Sequence, residues 1–97
     1  MAYGIVPFFP GGTEAQYEAA IAAAHPGRDT LPSGQQFHFA GPTDGGWVIV
    51  ATFDTKANWE SFRDGVLIPS LRKGVDGAFT GPPEERTFEI DTQVRRS

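Results

Sequence analysis

The chain has no cysteine, one methionine and two histidines among its 97 residues. Without cysteine there is no disulfide framework, no thiolate zinc site and no cysteine nucleophile. The histidines, His25 and His38, fall in different predicted elements and no H-x-x-x-H spacing occurs, so no metal is expected. Basic residues are also few. Lys and Arg total 8 against 12 Asp and Glu, for a net charge of −4 and a pI near 4.9. That balance disfavours sequence-independent phosphate binding, and no nucleic-acid partner is expected. No apolar run approaches the ~18 residues of a membrane span, and the N-terminus lacks a basic start followed by an apolar core. The expectation is a soluble cytoplasmic protein with no membrane partner. The glycine pairs at 11–12 and 45–46 follow neither G-x-G-x-x-G nor Walker spacing, so they call for no nucleotide.

What is present is organised around residues 46–74, G-W-V-I-V-A-T-F-D-T-K-A-N-W-E-S-F-R-D-G-V-L-I-P-S-L-R-K-G. Residues 47–53 carry no charge and are rich in β-branched and aromatic side chains, as in a strand covered on both faces. Asp54 and Thr55 offer side-chain oxygens to the first free N–H groups of a helix. Trp59, Phe62 and Val66 follow at spacings of three and four, on one helical face. Pro69 has no N–H for the carbonyl of Gly65, so it either kinks the helix near Ile68 or ends it, leaving Pro-Ser-Leu-Arg as a loop. Gly74 suits a left-handed cap.

The remaining segments complete the order. Residues 3–9, Y-G-I-V-P-F-F, read as strand 1, with Pro7 at a bulge or at a position whose N–H would lack a ladder partner. Thr13 begins T-E-A-Q, the capping-box spacing, and an alanine-rich helix runs to Ala24, where His25-Pro26-Gly27 stops it and His25 caps it. Residues 36–40 alternate as strand 2, 41–46 form a hairpin loop, 73–86 form a long connection carrying the isolated Phe79, and 88–94 alternate as strand 4.

The order β-α-β-β-α-β, with apolar strands first and third, matches an α+β, ferredoxin-like sheet of four antiparallel strands with strands 1 and 3 in the centre. Residues 1–97 then form a single domain. Two helices cover one face only, yet the central strands look apolar on both. A second copy of the sheet would cover the other, giving a homodimer; water-tolerant positions such as Ala51 and Thr52 are the alternative.

The element order, the block TFDTKANWESFRDGVLIPSL and the late stretch FTGPPEERTFEID resemble small stand-alone members of the dimeric α/β-barrel superfamily, in particular proteins grouped with the antibiotic biosynthesis monooxygenases. The resemblance implies a pocket between helices and sheet in each protomer, and two sheets meeting back to back. It implies cofactor-independent chemistry on a planar phenolic or polyketide-type compound. Residue roles transfer poorly. Haem-degrading relatives use a strand-1 asparagine and a histidine after a long helix, and cyclase relatives use a strand-1 histidine and a late one; this chain has neither set.

His38, mid-strand and able to titrate near neutrality, is the candidate general base or acid toward a phenol or enol; the same position also reads as a wet edge-strand residue. Trp47 and Trp59 are flat surfaces on which a planar substrate could stack, although Trp59 at helical spacing with Phe62 also reads as core. Tyr3 and Tyr17 could donate a hydroxyl proton to a substrate oxygen, and Asn58 and Arg63 could orient an enolate; each also reads as ordinary rim or helix surface. Three functions compete. One is a small cofactor-independent monooxygenase. A second, of the same fold, is a polyketide cyclase. The third is a non-catalytic module that binds a small aromatic ligand. An RNA-recognition domain is disfavoured by the acidic balance and by the lack of a basic, aromatic pattern on strands 1 and 3.

Overall fold

A computed structural model describes residues 1–24 and 30–96. His25, read from sequence as a helix cap, lies outside the described residues. The elements are β1 (Tyr3–Pro10), α1 (Glu14–Ala24), β2 (Gln35–Thr43), β3 (Gly46–Phe53), α2 (Lys56–Phe62), a π-helical segment (Arg63–Leu67), α3 (Ile68–Lys73) and β4 (Glu84–Glu89). The strands form one antiparallel sheet in the order β2-β3-β1-β4. The uniformly apolar β1 and β3 therefore lie in its centre, as their composition predicts.

Local chemistry accounts for each boundary. The capping box at α1 is reciprocal: Thr13 N donates to Gln16 Oε1 at 3.0 Å, and Gln16 N to Thr13 Oγ1 at 3.2 Å. Thr55 caps α2, its hydroxyl accepting from Asn58 N at 3.1 Å. The β2–β3 connection is tighter than the six-residue loop expected. Both strands extend until Thr43 pairs with Gly46, and Gly45 at φ 81° supplies the left-handed residue that the turn requires. Pairing between β1 and β3 is interrupted at Val6 and Pro7, where proline has no N–H to give.

Two expectations are corrected. Strand 4 lies at Glu84–Glu89 instead of 88–94. It pairs with β1 from Phe8 back to Tyr3, with one further bond from Ile90 N to the Ala2 carbonyl. Its first four residues, Glu84, Glu85, Arg86 and Thr87, are polar on both faces and carry no strand periodicity. The second correction concerns the helix. Pro69 does not end it: a π-turn precedes the proline, with Ile68 N–H bonding to the Arg63 carbonyl, and α3 begins at Ile68, where the kink was expected, and runs to Lys73. The wider turn adds a residue before the proline ring meets the preceding carbonyls. It also turns the helix face by one residue. Val66, expected inside, is 38% exposed, and Leu67 packs on the core in its place. Gly74, at φ 78°, ends the helix in the left-handed conformation.

The core sits between the central strands and α2. Tyr3, Ile5, Ala51, Phe53 and Trp59 are buried together, with ring centroids of Phe53 and Trp59 5.5 Å apart and of Phe53 and Phe62 5.8 Å apart. Register places Val6, Phe8, Phe37, Phe39, Val48, Val50 and Phe88 on the opposite face. Phe39 is 63% exposed there and Phe88 50%. Phe88 lies over Gly4, where an added Cβ would come within 2.6 Å of its ring. One face of the sheet is thus roofed by helices and the other is apolar and open. No helix among the described residues is long and apolar enough to cross a membrane.

Candidate functional site

Helix α1 is built mainly from alanine, and none of its residues is fully buried. Small side chains cannot fill the space between the helix and the sheet, so a cavity of about 490 Å³ remains there. That is within the range of small-molecule sites. Its floor is the helix-side row of the central strands, Ile5, Pro7, Ile49 and Ala51. Tyr17, Ala20, Ile21 and Ala24 of α1 form one wall, and Trp59, Phe62 and Leu67 another. The connection over residues 78–83 lines the remaining side. Its anchor is Phe79, whose ring stacks on that of Phe9 at a centroid distance of 3.7 Å.

The polar groups in this apolar chamber are few. His38 faces it from β2, with Nε2 2.7 Å from the Tyr17 hydroxyl and Nδ1 3.1 Å from Gln35 Oε1. In a regular strand Gln35 and His38 would point to opposite faces. A bulge between Gln35 and Phe37 inserts one residue and brings both side chains to the helix side. The Gln35 carbonyl oxygen only accepts, so Nδ1 donates to it; in the neutral tautomer this leaves Nε2 to accept from the Tyr17 O–H. Tyr17 is held from its other side by Trp47, with centroids 5.2 Å apart. At the opposite edge, Glu85 of β4 lines the cavity. As a residue Glu85 is exposed, yet it lines this largely apolar cavity. Desolvation pushes its pKa above the usual carboxylate range, while the Arg63 charge pulls the other way.

The residues singled out from sequence fall into two groups. His38, Tyr17 and Trp59 line the cavity. Trp47 is buried behind Tyr17, with no hydrogen-bond partner for its buried Nε1 among the described residues, and Tyr3 is buried in the core beside Phe53 and Trp59. Neither lines the cavity. Asn58 lies in the first turn of α2, where its Oδ1 accepts from the Thr55 hydroxyl at 2.8 Å, and it borders a different hollow of about 500 Å³ lined by Pro32, Ser33 and Ser61. Among the described residues that line that hollow, none is titratable. Arg63 points to the helix surface, its Nε donating to Asp64 Oδ1 at 2.9 Å; this hydrogen bond lowers the Asp64 pKa.

Sequence reasoning did not single out Gln35, Phe9 or Glu85. The isolated aromatic Phe79 in a polar connection was the one legible signal for the lid. Glu85 gave none, since its neighbours are equally polar. Among the described residues no group of three or more His, Asp or Glu side chains could hold a metal ion. No protein-family model matches the chain, and a search of curated proteins returned no match.

Proposed function

We propose that the protein is a small cofactor-independent enzyme of the dimeric α/β-barrel type, acting on a planar phenolic or polyketide-type compound as a monooxygenase. The observation that carries this reading is the hydrogen-bonded pair Tyr17 Oη and His38 Nε2, 2.7 Å apart, facing an apolar, ring-walled cavity. The strand order β2-β3-β1-β4 supports a ferredoxin-like protomer. The open apolar face around Phe39, Val50 and Phe88 supports pairing with a second copy.

The chemistry follows from the pair. A substrate hydroxyl in the cavity donates to Tyr17 Oη, which itself donates to His38 Nε2. Proton transfer through the phenol to the imidazole leaves a phenolate whose ring carbon has carbanion character, and His38 becomes an imidazolium beside Gln35. The low-dielectric walls keep water from competing for the electron-rich ring. In the oxygenation reading, dioxygen is the co-substrate: one oxygen atom bonds to the ring carbon, which loses its hydrogen and becomes a quinone carbonyl, and the other leaves as water, all four electrons coming from the substrate. In the cyclase alternative the same proton removal generates an enolate that closes a ring.

Incubation with a panel of hydroxylated polycyclic aromatics, followed by oxygen uptake and product mass, tests this. The expected outcome is turnover that falls about 10²–10⁴-fold in His38→Ala. Turnover without oxygen uptake would point to the cyclase alternative. Full activity in His38→Ala would remove His38 as the base, and tight binding without turnover would leave a binding module.

A further inference from the structure

We propose that Glu85 is the second polar anchor of the cavity, so that its ligand is a flat, elongated aromatic with a hydrogen-bond donor, such as a phenolic hydroxyl, at each end. This rests on the reading of the cavity as a phenol site and specifies its substrate class. His38 and Glu85 stand on the two edge strands of the same sheet face. In register, His38 is level with Ala51 of β3 and Ile5 of β1, and Glu85 with Pro7. Three inter-strand spacings, about 14 Å, separate the two backbones across the sheet.

Everything on the floor between them is apolar. A ligand that satisfies both ends must therefore be long, hydrophobic in its middle and polar at its tips. The floor is a sheet surface and the lid is a pair of stacked rings, Phe9 and Phe79, which selects a flat body.

The Glu85 carboxyl accepts no hydrogen bond and forms no ion pair within 4 Å among the described residues, although Arg63 influences it through space. It is a partly desolvated acceptor lacking a protein donor among the described residues. A ligand hydroxyl would supply one, and hydrogen bonds to carboxylates are among the stronger ones. The Tyr17–His38–Gln35 chain, by contrast, is already linked and holds the reacting end. Glu85 sets which ligand fits and in which direction it lies.

The test uses two probes, 2,6-dihydroxyanthraquinone with a hydroxyl at each end and 2-hydroxyanthraquinone with one, bound to the full chain and followed by tryptophan fluorescence. The expected result is about tenfold tighter binding of the dihydroxy compound. Glu85→Ala abolishes that preference, while Glu85→Gln, which keeps a neutral acceptor, retains part of it. A preference intact in Glu85→Ala, or absent from the natural chain that binds both probes, overturns the anchor alone. Failure of the natural chain to bind either probe overturns the phenol-site reading, and the anchor with it.

Discussion

Glu85 is the residue whose environment is most at odds with its exposure. Its carboxyl is held in the neutral form to a higher pH than usual by desolvation, against the opposing pull of Arg63. A folded-state pKa above the unfolded value contributes stability in full below the unfolded pKa, and that contribution is lost as pH rises through the folded pKa. Glu85→Gln should therefore match the natural protein in thermal stability at or below the ordinary glutamate value of 4.5, and melt slightly higher at neutral pH. Thermal scans from about pH 4 to about pH 8 check this. Because the residue is largely exposed the difference is expected to be small, and a natural protein that melts higher at neutral pH would refute it. Sequence revealed the other end of the site better. His38 stood out as a titratable residue in an apolar alternation, and Tyr17 as a hydroxyl able to donate to a substrate oxygen. Their partnership with Gln35 depends on a bulge that no periodicity encodes.

At the scale of elements, the helix after β3 was legible in its start, its caps and its apolar face, and misread in its middle. Intrinsic spacing put Val66 inside, but the constraint imposed by Pro69 is met one turn earlier by the π-turn, which exchanges Val66 for Leu67. Leu67→Ala is expected to cost about 1–2 kcal/mol, since the side chain is only partly buried. Val66→Ala should stay within about 0.5 kcal/mol. Urea denaturation of the two variants distinguishes the arrangements, and a regular helix would reverse the order. The same turn places Leu67 beside Trp59 and Phe62 in the cavity wall, so Leu67→Ala should also weaken ligand binding while Val66→Ala does not. Strand β4 shows the opposite limit. An edge strand with polar residues on both faces has no hydrophobic period to read, and only pairing with β1 defines it.

For the whole molecule, the legible feature was that β1 and β3 are apolar on both faces. The helices account for one face, and the cavity exists because alanine-rich α1 covers it without filling it. On the other face Phe39, Val50 and Phe88 remain exposed. Sedimentation equilibrium at micromolar concentration is expected to show a dimer, and Phe39→Lys with Phe88→Lys a folded monomer; a natural chain that sediments as a monomer would remove the barrel. The central claim is that the roofed face is a ligand site reporting through His38, and the two histidines of the chain make it directly observable. On titration with 2,6-dihydroxyanthraquinone, the imidazole nitrogen resonances of His38 should shift in NMR spectra. Binding that leaves the His38 resonances unmoved would contradict the account.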